Sequence, residues 1–181
     1  MKTQVHFGLT TGVRRRLTWL TIYAVAMAYL ESAVVVYLRA LYYPQGFALP
    51  LVPMPPAMVA IEIGREAATL VMLLGVATLD GADRWERFLA FCWSFGIWDL
   101  FYYGWLWVFV GWPESLLTWD VLFLIPVPWV APVLAPILIS TALVGGSLLI
   151  LRLKAQGVRL AFSAAEWALA VHRSAGCVCG G

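Results

Sequence analysis

The sequence predicts an all-α membrane protein. It should have four transmembrane helices, a proline-kinked or re-entrant segment before the fourth, and a cytoplasmic amphipathic helix after it. Three observations predict this. Apolar residues fill 62% of the 181 positions and charged residues only 12%, whereas soluble domains run about 45–50% and about 25%. A water-soluble fold of this length could not hide so much apolar surface, so lipid must solvate it. Four stretches are long enough to cross a hydrocarbon layer of about 30 Å. The basic residues collect at alternate ends of those stretches.

The first span is read as Leu17 to Leu41, closed by Tyr42, Tyr43, Pro44 and Gly46. Arg14–Arg16 precede it, but the apolar stretch exceeds a signal-peptide core and no small-residue cleavage site follows, so it is expected to be retained. A proline-rich linker without charge leads to the second span, Ala57 to Leu79. A short polar turn, Asp80 to Arg87, precedes the third span, Phe88 to Val110. After a linker around Trp112 and Pro113 the chain is apolar from Val121 to Leu151, longer than one straight span needs. Pro126, Pro128, Pro132 and Pro136 interrupt it. Proline removes a backbone donor and clashes with the preceding turn. Residues 121–130 are therefore expected to be kinked or partly inserted, with the fourth span at Ala131–Leu153. Residues 158–172 are too few and too mixed to span, and suit a helix lying on the membrane surface. Gly104, Gly145 and Gly146 are expected to allow close helix contact.

Arg14–Arg16, Arg84 with Arg87, and Arg152, Lys154 and Arg159 mark one side of the membrane. The positive-inside rule makes that side cytoplasmic, with both termini there and the chain in the cell's inner membrane. The expected organisation is a cytoplasmic tail at 1–16, a transmembrane domain at 17–153, and a surface helix with a cysteine-containing tail at 154–181. The formal net charge of +2 and the lack of a basic stripe interleaved with aromatics argue against a nucleic-acid partner. Three cysteines cannot make a disulfide framework. Cys177 and Cys179 with His172 are a weak soft-metal signal, and a reduced cytoplasmic tail is the plainer reading.

The functional signal lies in the ionisable residues within the spans: Glu31 and Arg39 in the first, Glu62, Arg65 and Glu66 in the second, Asp99 in the third, with Asp120 opening the fourth. Each such group costs at least about 2.5–3.5 kcal/mol against lipid, so they are expected to face one another. Counting along the helices puts Glu31, Glu66 and Asp99 at nearly one depth, roughly 17–21 Å from the cytoplasmic side. Glu62, Arg65 and Glu66 share a helix face, as do Glu31 and Arg39. Trp98, Tyr102 and Trp105 are expected to form an aromatic wall beside Asp99, with Tyr103 next to them. Structural ion pairing explains the arginines, since a guanidinium matches carboxylates well. It does not explain five acids facing two arginines. An unmatched buried carboxylate must protonate, bind a cation or open to water.

Glu31, Glu66 and Asp99 are the candidate acid–base set. Arg39, Glu62, Arg65, Trp98, Tyr102, Tyr103 and Asp120 are the candidate ligand-binding set. Acid–base chemistry on, or binding of, a lipid-soluble molecule is the first expectation. A hard-cation site or proton path is the second. The spans contain no histidine, which weighs against a ferritin-like di-iron centre. A packing subunit in a larger membrane complex is the third. No cofactor is assigned.

Overall fold

The computed structural model describes residues 9–47, 52–125 and 127–158. The described chain is mostly helical, with four helices and one small hairpin: α1 (Thr11–Tyr42), α2 (Pro56–Asp80), α3 (Arg84–Val110), β1 (Trp119–Phe123), β2 (Trp129–Pro132) and α4 (Leu134–Ala155).

Each helix begins and ends for a local reason. The Thr10 hydroxyl accepts from the Val13 amide and caps α1. Pro44 keeps Tyr43 out of the helical region, so α1 stops there. Pro56 opens α2 at a position where its missing N–H is not needed. The Asp83 carboxylate accepts from the Glu86 amide at 2.8 Å and starts α3. Gly111 ends α3 at φ +66°, in the left-handed conformation that glycine tolerates best, and donates to the Trp107 carbonyl.

The segment before the last helix departs from expectation. The segment expected to be kinked or re-entrant forms a two-stranded antiparallel hairpin, so the fold is not purely α. Trp119 lies opposite Pro132, Asp120 opposite Ala131, Val121 opposite Val130 and Phe123 opposite Trp129, with a bulge between Val121 and Phe123. The reason is chemical. Aromatic and β-branched residues favour a pleated strand, and the prolines forbid a helix. Pairing two short strands satisfies the backbone groups that a broken helix would leave open. Pro132 sits at the end of a strand. Pro136 lies in the first turn of α4, where no amide donor is required, so α4 starts at Leu134 instead of Ala131. Helices α1 and α3 start earlier than expected, at Thr11 and Arg84. The expected surface helix, apart from Val158 at its start, and the cysteine-containing tail lie outside the described residues.

Helix α3 is the centre of the bundle and packs against α1, α2 and α4, whereas α1 and α2 scarcely touch. The glycine of close approach is Gly96. A Cβ there would meet the Ser140 carbonyl and Val144 Cγ2 at 2.8 Å each. Gly104, Gly145 and Gly146 have nothing within 4 Å, so the contact expected at them is absent. One end of the bundle is held by charge. Arg16 grips both oxygens of Asp80 and reaches Glu86 Oε2 at 3.1 Å, while Lys154 lies 3.8 Å from Asp83 and Glu86. The starts of α1 and α3 and the ends of α2 and α4 therefore meet, and successive helices run antiparallel. The hydrogen bonds that Arg16 donates to Asp80 are the first cause that raises its pKa. Accepting the Glu86 amide is the first cause that lowers the Asp83 pKa.

Beside an apolar core, several polar side chains are buried and many large apolar ones are exposed. Glu31, Glu62, Glu66, Asp99, Ser32, Ser94, Ser140 and Ser147 are buried, while Leu30, Leu41, Val71, Leu79, Trp107, Leu138 and Leu149 are exposed. Two helices, α1 and α4, are long and apolar enough to cross a membrane. The 25 residues of α2 and 27 of α3 have comparable length, but Glu62, Arg65 and Glu66 interrupt the first and Asp99 the second.

Two predictions follow the packing and the cap. Gly96→Val should destabilise the α3–α4 contact by about 1–3 kcal/mol. Gly104→Ala should be neutral or stabilise by up to about 1 kcal/mol. Thermal unfolding in detergent, followed by circular dichroism, compares them; equal melting points would refute the close contact at Gly96. Asp83→Ala should lower the melting point at neutral pH. A carboxylate with a lowered pKa stabilises the fold fully above its ordinary value of 3.8 and loses that effect as pH falls through the folded value. The gap between Asp83→Ala and the parent should therefore close below about pH 4.

Candidate functional site

All ten candidate residues line one cavity of about 170 Å³ at the hairpin end of the bundle. Three helices and the hairpin build it. Glu31, Val35, Leu38, Arg39 and Tyr42 repeat at three- and four-residue spacing on α1, so they form one stripe. Glu62, Arg65 and Glu66 do the same on α2, and Trp98, Asp99, Tyr102 and Tyr103 on α3. Residues Asp120 to Leu124 of β1 and the turn after it form the remaining wall, with Phe47, Val52 and Met54 of the α1–α2 linker. The cavity lies between α1, α2, α3 and β1, where α1 and α2 approach each other little.

The charged groups fall into three sets. Arg65 forms the first. Its Nε donates to Glu62 Oε2 at 2.8 Å and its Nη1 pairs with Glu31. The Thr69 hydroxyl donates to the other Glu31 oxygen at 3.0 Å. One guanidinium thus joins a carboxylate of α1 to one of α2. Arg39 forms the second set. It lies 3.7 Å from Asp120 Oδ1, and its guanidinium stacks between two rings, 4.4 Å from the centroid of Phe47 and 3.8 Å from that of Trp112. The Tyr103 hydroxyl donates to Asp120 Oδ2 at 3.3 Å. Glu66 and Asp99 form the third set and have no arginine or lysine within ion-pair distance among the described residues. Both Glu66 oxygens accept the Leu124 amide at 2.9 Å. The Ser140 hydroxyl donates to Asp99 Oδ2 at 2.6 Å. All five carboxylates are buried.

Glu31, Glu66 and Asp99 therefore share a cavity but not hydrogen bonds. Each is held by a different neighbour. The aromatic wall differs from expectation in one member. Trp98, Tyr102 and Tyr103 line the cavity, but Trp105 does not. It turns to α1, where it packs edge-on against Tyr29 and donates to the Val25 carbonyl at 3.3 Å. Spacing on α3 groups Trp105 with Tyr102, but the Tyr29 ring and Val25 carbonyl of the neighbouring α1 engage it instead. In its place Phe123 of the hairpin stands 6.3 Å from Trp98, centroid to centroid. Trp98 is 5% exposed and its indole N–H has no hydrogen-bond partner among the described residues.

Five contributors escape sequence reasoning. Phe47 and Trp112 lie in linkers, where nothing in the local pattern marks them as partners of Arg39. Phe123 and the Leu124 amide depend on the hairpin. Ser140 left only a weak signal, one of three hydroxyl residues in a mostly apolar helix, since Thr141 beside it is satisfied by the Ile137 carbonyl. Among the described residues no three His, Cys, Asp or Glu side chains stand close enough to hold a metal ion. His172, Cys177 and Cys179 lie outside the described residues.

Removing the guanidinium tests the first set. Arg65→Leu leaves Glu31 and Glu62 buried without a cation and should destabilise the protein by about 3–5 kcal/mol. Adding Glu31→Gln and Glu62→Gln to the same chain should recover most of that loss. Thermal unfolding in detergent measures both, and a triple variant no more stable than Arg65→Leu would refute the pairing.

The comparisons with known proteins leave this geometry as the ground for a functional reading: the chain matches no protein-family model, no curated protein and no solved structure.

Proposed function

We propose that the chain is an integral protein of the cell's inner membrane that crosses the bilayer four times with both termini in the cytoplasm. In its outer half it binds a lipid-soluble small molecule or acts on one by acid–base chemistry. One observation carries this reading. Carboxylates and arginines from three helices and a hairpin line a single cavity inside a bundle whose outer surface is apolar. Such a surface calls for lipid as solvent. Ionisable groups kept inside a lipid-facing bundle are functional candidates by their cost alone.

The arrangement suits the chemistry. Glu31, Glu66 and Asp99 sit on three different helices around the same space, so a bound molecule can meet more than one carboxyl group. A carboxyl group holding its proton can donate it to an alkene, epoxide or carbonyl, while an ionised neighbour accepts one or faces a developing cation. Trp98, Tyr102 and Tyr103 offer ring faces to the same space. Arg39, Glu62, Arg65 and Asp120 position and balance these groups. Lipid and a lipophilic small molecule are the partners this implies.

Two experiments test the proposal. In a cysteine-free background, Glu114→Cys should react with a membrane-impermeant maleimide on intact cells, and Asp83→Cys only after lysis. Labelling of the Asp83 position in intact cells would overturn the orientation. Native mass spectrometry of the full chain, released from mild detergent, should show a retained non-protein mass. That mass should be reduced several-fold in a Trp98→Ala, Tyr102→Ala double variant. A bare protein mass in every preparation would count against the cavity as a binding site.

A further inference from the structure

We propose that the cavity receives a compact organic cation, the ammonium head of an amphiphile. This rests on the reading of the cavity as a binding site and names what that site selects.

The argument begins with which charges are already answered. Both guanidiniums are engaged, Arg65 between Glu31 and Glu62, and Arg39 with Asp120 between two rings. Glu66 and Asp99 receive only neutral donors, the Leu124 amide and the Ser140 hydroxyl. Two buried carboxylates therefore face the cavity with no arginine or lysine in ion-pair contact among the described residues, and only Glu66 feels the more distant charge of Arg65. A metal ion does not fit the vacancy. Hard cations gather about six to eight oxygens at close range, and no three acidic side chains here converge on a point. A broad, weakly hydrated organic cation has no such demand. It is held by ring faces together with a carboxylate at a distance, and the cavity provides those faces. Trp98 stands 6.4 Å from Tyr102 and 6.3 Å from Phe123, centroid to centroid, and all three line the space shared with Glu66 and Asp99.

Size sets the last limit. The cavity, about 170 Å³, is close to the roughly 150 Å³ that holds one benzene ring. It takes a head group and leaves the tail outside.

The test compares three ten-carbon probes on the full chain in neutral maltoside micelles, with tryptophan fluorescence as the readout: decyl(hydroxyethyl)dimethylammonium, decanol and decyl sulfate. The ammonium probe should saturate and bind about tenfold tighter than decanol, with decyl sulfate weakest. Glu66→Gln and Asp99→Asn should each bring the ammonium probe down to about the affinity of decanol. Gel filtration and melting points identify any variant that fails to fold, and the three probes on the parent chain decide the matter without variants. Saturable binding of decanol or decyl sulfate as tight as the ammonium probe would overturn the charge selectivity and leave the binding site standing. Absence of saturable binding by all three would overturn both.

Discussion

The bridge from Glu31 through Arg65 to Glu62 is the interaction on which the rest of the structure depends. Helices α1 and α2 hardly touch each other. Apolar packing joins each of them to α3, but it does not hold them to one another at the level of the cavity. One guanidinium shared by two carboxylates, with Thr69 completing the Glu31 side, spans that gap. A buried ion pair of this kind adds little net stability compared with a packed apolar core. What it does is fix a separation. The two helices cannot close without losing the bridge, nor part without stranding charges, and the space between them persists as a cavity.

The hairpin answers the same constraint from the other side. Carboxylates held inside a bundle need donors, and helix backbones have none to spare. The strand β1 and the turn after it bring an amide to Glu66 and a carboxylate to Arg39 and Tyr103. An all-helical wall could not have supplied the Leu124 amide. The departure from pure helix is thus also what completes the site, and the prolines that exclude a helix there are part of its construction.

Much of the site was legible in the residues because charge inside an apolar stretch is scarce and expensive. Every ionisable group picked out on those grounds lines the cavity. Helical spacing then grouped Glu62, Arg65 and Glu66, and aligned Glu31 with Arg39. The same reasoning failed where a residue's partner is set by a neighbouring element. Trp105 belonged to the expected wall by spacing, yet α1 offers it Tyr29 and the Val25 carbonyl instead. Gly104, Gly145 and Gly146 looked like contact glycines by type, but Gly96 is the one against α4. A glycine allows close approach wherever it stands, and only the crossing of two helices decides which one uses it.

The sequence by itself determined the four helices, their antiparallel order and the identity of the charged residues. Apolar run length and the cost of unpaired charge act locally, and each can be read along one chain. The tertiary structure alone decided which acid meets which base, that a hairpin closes the site, and that Glu66 and Asp99 are left with neutral donors. Those outcomes depend on distances between helices. Such distances are set by side-chain packing across elements, and no spacing along a single element contains them.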